Sequence, residues 1–253
     1  MENKSDYILE THHLTKEFKG FVAVDDVNLK VRRGHIHALI GPNGAGKTTV
    51  FNLLTKFLTP SKGSISYNGR DITAQHSASI ARDGMVRSFQ ISSNFPHLSL
   101  MENVRIALQT KTHLHYKFWR SDKVLNALND RAMELLTAVD LQDFADRLAM
   151  DLPYGRKRAL EIATTLAMEP EVMLLDEPTQ GMGHEDVAQV VALIRRASGG
   201  RTILMVEHNL SVVADLSDRI TVLQRGSILA EGSYQEVSTN PQVLEAYVGS
   251  EHV

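Results

Sequence analysis

The run GPNGAGKTT, from Gly41 to Thr49, carries a spacing whose chemistry can be assigned residue by residue. Gly41, Gly46, Lys47 and Thr48 satisfy G-x-x-x-x-G-K-[ST], with Pro42, Asn43, Gly44 and Ala45 between the outer glycines and Thr49 after them. Glycines let backbone N–H groups converge on phosphate oxygens, lysine reaches the β- and γ-phosphates, and the threonine hydroxyl is a ligand for Mg²⁺. A helix that starts at the lysine aims its positive end at the same anion. The pattern implies a nucleoside triphosphate held with Mg²⁺.

A second constellation stands at VMLLDEP, where an apolar run ends in Asp176 and Glu177. In open parallel sheets ligands gather at the C-terminal ends of the strands. There Asp176 is placed to hold the Mg²⁺ shell, directly or through water. Glu177, one residue on and aimed differently, is placed to polarise an attacking water. Two classes of phosphate-loop protein are set aside, because no N-K-x-D base-reading motif follows the phosphate loop and no arginine-rich lid of the metabolite-kinase kind stands out.

These side chains require elements to carry them. Ile36 to Ile40 reads as a compact apolar strand ending at Gly41, and Val50, Phe51, Leu53 and Leu54 recur at helical spacing after Lys47. Upstream, Tyr7 to Val31 reads as short strands, with alternation at Val27, Leu29 and Val31 before a turn at Arg33-Gly34. From about Asp83 to Met150 strand alternation is lacking. Val104, Ala107 and Leu108, then Met133, Leu135, Leu136 and Val139, predict a helical insertion. An exposed connection is expected at His113 to Asp122, with His115, Trp119 and Arg120. Beyond it come a helix at Arg156 to Met168, a strand at Val172 to Leu175, a helix at Val187 to Arg196 and a strand at Ile203 to Val206. Short strands at Ile220 to Leu223 and Ile228 to Ala230 then lead to a C-terminal helix. Such alternation predicts a mostly parallel sheet with helices on both faces.

At 253 residues and 43% hydrophobic content the chain can bury a substantial core. Its 27 basic and 30 acidic residues balance to a formal charge of -3, so it lacks the basic footprint that duplex nucleic acid demands. The absence of cysteine removes disulfides, thiolate nucleophiles and cysteine-ligated zinc, and fits a reducing compartment. There is no H-E-x-x-H, and no transition-metal site is expected. The opening residues MENKSDYILETHH hold no apolar stretch ahead of a cleavage site, and no run approaches the roughly 20 apolar residues that span a bilayer. Service to a membrane is therefore expected to go through partners.

Between the two nucleotide motifs lies LPYGRKRALEIA, Leu152 to Ala163, which resembles the signature of the ATP-binding cassette (ABC) family, LSGGQ followed by a helix. The resemblance spans essentially the whole chain. It implies an α/β fold, a phosphate-loop NTPase (RecA-like) core with an N-terminal antiparallel β-subdomain and an inserted helical subdomain. Within one domain over 1–253, the core and β-subdomain would occupy about 1–86 and 158–253 and the helical subdomain about 87–157. It implies ATP and Mg²⁺ as cofactors and ATP hydrolysis coupled to transmembrane transport. In that family two subunits close head to tail, so Leu152, Pro153, Tyr154, Gly155 and Arg156 are implied to cover the γ-phosphate held by a partner. Leu152 and Gly155 fit the signature, whereas Pro153, Tyr154 and Arg156 depart from it. Pro153 cannot donate the hydroxyl of the family's serine. Arg156, Lys157 and Arg158 crowd a helix start, where the dipole disfavours them unless an anion is present. They read either as compensating anion contacts or as a solvated basic face. The resemblance further implies that Phe18 stacks on adenine, that Gln90 in RSFQ links Mg²⁺ and the attacking water to the helical insertion, and that His208 in MVEHN contacts the γ-phosphate and orients Glu177. Gly183 stands where the family places an aspartate or asparagine, which puts coupling between the two sites through that loop in question.

Within the family, YGRKRALEIA and the C-terminal GSILAEGSYQEVSTNPQVLEAYVG resemble the ATPase subunits of branched-chain amino-acid importers, notably at Asn240-Pro241, Glu245 to Tyr247 and Gly249. The long connection suits the G-type subunit. This implies a second ABC ATPase subunit in a heterodimer or homodimer, two transmembrane permease subunits and, indirectly, a periplasmic binding protein, with no nucleic acid. It implies a peripheral place on the cytoplasmic face of the inner membrane, with the isolated subunit soluble, and a contact for a permease helix at Ser92 to His97. Relatives of this group carry urea, amides or aromatic acids, so the cargo stays open. Lipopolysaccharide-export ATPases share a similar C-terminal region but keep the serine and paired glycines that Pro153 and Tyr154 replace. Soluble cassette proteins of translation or DNA repair need a second cassette or a long coiled coil. A module that holds nucleotide without turning it over is opposed by the intact Lys47, Asp176, Glu177 and His208.

Overall fold

The computed structural model describes residues 6–88, 94–110 and 128–248. Gln90 and the connection at His113 to Asp122 lie outside them. With strands numbered along the chain, β1 (Tyr7–Phe18), β2 (Phe21–Val27), β3 (Lys30–Arg32), β5 (Lys62–Tyr67) and β6 (Arg70–Asp71) form one antiparallel sheet, ordered β2-β1-β5-β6 with β3 also on β1. The other sheet comprises β4 (Ile36–Ile40), β7 (Met85–Ser88), β8 (Val172–Asp176), β9 (Thr202–Val206), β10 (Arg219–Gln224) and β11 (Ser227–Gly232). Its order is β11-β10-β4-β9-β8-β7, parallel throughout except for β11.

Both faces of the parallel sheet are covered, and the two-residue period of its strands divides the core. Ile36, Ala38 and Ile40, Met173 and Leu175, and Ile203 and Met205 face one cluster with α3 (Leu100–Gln109), α4 (Asn129–Ala138), α5 (Tyr154–Ala167) and α6 (His184–Ala197). Leu39, Val172, Leu174, Leu204 and Val206 face the other, with the antiparallel sheet and α1 (Lys47–Leu54). Asp176 continues the parity of Val172 and Leu174, so β8 delivers its carboxylate on the face that α1 covers. The register pairs Leu39 with Val206 and Asp176 with Val206, so the C-terminal ends of β4, β9 and β8 stand side by side. That edge is where the two chemical motifs of the sequence come together.

One expected element was replaced. The stretch from Asp83, read as the start of a helical insertion, instead forms β7, whose Met85 to Ser88 pair in register with Val172 to Leu175. Met85, Val86 and Ser88 are buried, so this edge strand shows no inside–outside alternation to read. The helices of the insertion are those expected, and α3 starts with a capping box in which Ser99 and Glu102 satisfy each other's backbone N–H groups. The single C-terminal helix is two, α8 (Tyr234–Ser238) and α9 (Pro241–Val248), separated by Asn240-Pro241, where proline's missing N–H suits a helix start rather than a continuation. The remaining helices are α2 (Ser77–Arg82) and α7 (Leu210–Leu216).

Candidate functional site

The phosphate loop leaves β4 through a backbone that only glycine adopts. Gly41 sits at φ +146°, and a Cβ there would lie 2.2 Å from the Leu223 carbonyl oxygen of β10. Gly46, at φ +101°, caps α1, and a Cβ would meet the Ala23 carbonyl at 2.7 Å. Ala45 is buried beneath the loop, while Asn43 and Gly44 are exposed at its crest and Pro42 is half-buried. Lys47, nearly buried, donates from Nζ to the carbonyls of Gly41 at 2.6 Å and Pro42 at 2.9 Å. Burial pushes its ammonium below the ordinary lysine range, and the charge of nearby Glu177 opposes that shift. Thr48 is exposed and Thr49 half-buried on the first turn of α1.

Asp176 is 1% exposed at the end of β8, and its carboxylate is paired with Arg87 of β7. A charge this deep requires such a partner. The Arg87 guanidinium also donates to Asn52 Oδ1 at 2.7 Å and lies 5.7 and 5.8 Å from the ring centres of Phe51 and Phe57. Arg87 therefore ties the Asp176 carboxylate to α1 and to the strand that leads towards Gln90. Glu177 is half-buried with φ +45°, a left-handed backbone that is strained in a residue with a side chain. Its N–H donates to the Val206 carbonyl of β9 at 2.9 Å, and the Glu177 carbonyl accepts the Gln180 N–H at 3.1 Å. His208 is exposed, two residues past the end of β9. Thr48 hydroxyl and Asp176 carboxylate are hard oxygen donors, the set that suits Mg²⁺ when phosphate and water complete its shell.

Phe18 ends β1 at 41% exposure, opposite Phe21 of β2, with Lys16 Nζ 5.0 Å from its ring centre. The same β2 runs on to Ala23, whose carbonyl faces Gly46, so Phe18 belongs to the strand pair that flanks the phosphate loop. At the other motif, Leu152 is buried and Pro153 is the N-cap of α5, at φ -58° and ψ 158°, with no side chain capping the helix. Tyr154 is 57% exposed. A Cβ on Gly155 would lie 3.0 Å from Asp186 Oδ1 of α6.

Of the three cations that follow, Arg156 is exposed, Lys157 is half-buried and Arg158 alone is withdrawn from solvent. Arg156 stacks on Phe144, its guanidinium carbon 4.0 Å from the ring centre. Arg158 is buried in an ion pair with Glu161 and donates to the Asp176 carbonyl at 3.5 Å. Burial raises the Glu161 carboxyl above its ordinary range, with Arg158 opposing the shift. Helical spacing of i,i+3 within α5 could have announced that pair.

Other residues at this edge carried no sequence signal. Arg87 and Asp176 are 89 positions apart, and nothing local marks their pairing. Tyr247 of α9 forms a hydrogen bond with the Gly41 backbone, which brings the C-terminal helix onto the start of the phosphate loop. Glu207, fully buried between Val206 and His208, spans two loops with its carboxylate.

Comparison with known proteins places these features. The family model described as ABC transporter matches residues 24–180, and that described as branched-chain amino acid ATP-binding cassette transporter matches residues 227–253. The chain is 38% identical over 252 residues to BraF of Pseudomonas aeruginosa, a high-affinity branched-chain amino acid transport ATP-binding protein, covering 96% of this chain and 98% of that one. It is equally 38% identical to LivG of Escherichia coli, which bears the same description, over 97% and 99% of the two chains. Among solved structures, the ADP conformation of an ATP-binding cassette of an ABC transporter superposes with a TM-score of 0.83 at 28% identity, over 97% of this chain and 100% of that one.

Proposed function

The chain belongs to the ATP-binding cassette family of ABC transporters, and from that premise we propose that it powers an importer of branched-chain amino acids or a related small polar solute. The cargo reading rests on its relatives and on the C-terminal match. It is an ATPase. The observation that best supports our assignment of the chemistry is the adjacency of the β4, β9 and β8 ends, which sets Lys47, His208 and Asp176–Glu177 along one sheet edge.

In the mechanism we favour, backbone N–H groups of Gly44 to Thr48 and the Lys47 ammonium hold the β- and γ-phosphates at the positive end of α1. Phe18 stacks on adenine. Thr48 and Asp176 would hold Mg²⁺, with Gln90 beside it by family resemblance; when bound, the ion neutralises charge on the β- and γ-phosphate oxygens. Glu177 accepts a proton from water as the water oxygen bonds to the γ-phosphorus and the bond to the bridging oxygen breaks, yielding ADP and phosphate. His208 holds the γ-phosphate and orients Glu177. The site is completed by a partner: a second cassette, in a heterodimer or homodimer, places its signature over this γ-phosphate and receives Leu152 to Arg156 in return.

Two permease subunits would dock on the helical side. A cavity of about 380 Å³ lined by Thr55, Phe57, Ile80, Phe95, Ile106 and Met168 supports this, because half-exposed Phe95 lies within the expected contact, Ser92 to His97. We read the chain as one cassette domain, peripheral to the cytoplasmic face of the membrane and served indirectly by a periplasmic binding protein. Among the described residues no helix is long and apolar enough to cross a membrane. Glu177→Gln is expected to retain ATP and accumulate a stable nucleotide-bound dimer on size exclusion, whereas Lys47→Ala loses nucleotide in an equilibrium binding assay. Unaltered turnover by Glu177→Gln would show that Glu177 is not the base.

A further inference from the structure

Glu207 is 0% exposed and lies between the last residue of β9 and the histidine assigned to the γ-phosphate. Its Oε1 accepts the Thr179 N–H at 3.0 Å and the Thr179 hydroxyl at 2.5 Å. Its Oε2 accepts the N–H groups of His208 at 2.9 Å and Asn209 at 3.1 Å. Each oxygen thus serves a different loop, and every partner donates. We propose that Glu207 is a positioning residue for hydrolysis, which ties the loop carrying Glu177 to the loop carrying His208 so that the two groups hold one relative placement.

Each side of the tie has a structural need for it. Glu177 is in the strained left-handed region, which persists only where its surroundings over-determine the backbone. The Val206 carbonyl fixes it from β9 and the Gln180 N–H from its own turn. Thr179, between Glu177 and that turn's end, has its backbone and its hydroxyl held by Glu207. On the other side, Asn209 caps α7 through Ser211 N–H at 3.1 Å, so the backbone of His208 is held between a carboxylate and a helix cap while its side chain stays exposed. An amide at 207 could accept through only one of its two ends, and its NH₂ would oppose the N–H donors of whichever loop it faced. One loop would then lose its anchor.

This inference rests on the assignment of Glu177 and His208, so the experiment carries Glu177→Gln as its reference. Steady-state ATP hydrolysis by the purified full chain is measured against Mg·ATP concentration, alongside fluorescent-nucleotide binding and a melting curve. Glu207→Gln is expected to lower kcat about 10- to 100-fold, as small misplacements of reacting groups do, with KM and nucleotide affinity unchanged. Thr179→Val, which removes one of the four bonds, should lower kcat less, and Thr179→Ser should restore it. A folded Glu207→Gln with wild-type kcat, or one that loses kcat and nucleotide affinity together, overturns the proposal. If Glu207→Gln does not fold, the threonine pair decides, and equal kcat for Val and Ser overturns it. Should Glu177→Gln itself turn over at the wild-type rate, the assignment of the base fails first. If that variant is inactive while Glu207→Gln is unaffected, only the tie is wrong.

Discussion

Gly41 shows how little freedom the phosphate loop leaves to its residues. At φ +146°, with the Leu223 carbonyl 2.2 Å from where a Cβ would be, the position excludes side chains twice, by backbone conformation and by a neighbouring strand that cannot retreat. Gly41→Ala is therefore expected to displace the loop and weaken nucleotide binding by about tenfold or more, equivalent to ~1.4 kcal/mol, read as the Kd for a fluorescent ATP analogue. Binding at wild-type affinity would show that the loop reaches its bound shape by another route. The glycine was legible in the sequence because the spacing to Lys47 is local. The residues that serve the same edge from afar were not. Arg87 reaches Asp176 through the pairing of β7 with β8, and Glu207 reaches Thr179 through the pairing of β8 with β9, so both contacts exist only once the sheet order is known. Arg158 departs from its sequence reading for the opposite reason: its charge suggests solvent or an anion, while its burial is made tolerable by Glu161 one helical turn away.

At the scale of elements, β4 is visible in the sequence as an apolar run, yet it carries a titratable group. His37 is 1% exposed, with Nε2 2.8 Å from Thr221 Oγ1 on β10. Burial, the leading cause, drives its imidazole from an ordinary 6.5 down to about 4, partly opposed by the charge of Glu231. The folded state thus keeps the neutral ring at a pH where the unfolded chain has already taken up a proton. Stability from this residue is intact above pH 6.5 and is lost as pH falls towards 4. The loss over that interval is about 3 kcal/mol. His37→Gln keeps a partner for Thr221 but cannot titrate, so its unfolding free energy should fall less steeply than wild type between those limits in urea titrations. Parallel pH profiles would place the acid sensitivity elsewhere. The strands β4, β8 and β9 and the helices α5 and α6 are legible in the sequence because strands buried on both faces and helices with one apolar stripe announce themselves over five or more residues. The short edge strand β7 offers four, without alternation, and its sequence reads as part of the helical insertion.

For the whole molecule, the proposed pairing with a second cassette has the consequence that the least regular half-site of this chain acts on its partner. Pro153 occupies the N-cap of α5 with no side-chain bond to the helix start, and it brings no hydroxyl to a facing phosphate. A hydrogen bond to a charged group contributes about 1.5–3 kcal/mol, so a homodimer with two such signatures should hydrolyse at least about tenfold more slowly per site than a heterodimer in which this chain's ATP meets a regular signature. The converse substitution separates catalysis from folding. Pro153→Ser supplies both an N-cap acceptor and a hydroxyl, at an exposed position whose φ of -58° serine accepts without strain. A gain in helix capping alone raises the melting temperature and leaves turnover unchanged. A gain in the composite site raises homodimer kcat towards the heterodimer rate, and does so only when the Glu177 of the facing subunit is intact. Turnover that rises equally with Glu177→Gln in both subunits would mean that the hydroxyl acts somewhere other than the shared γ-phosphate.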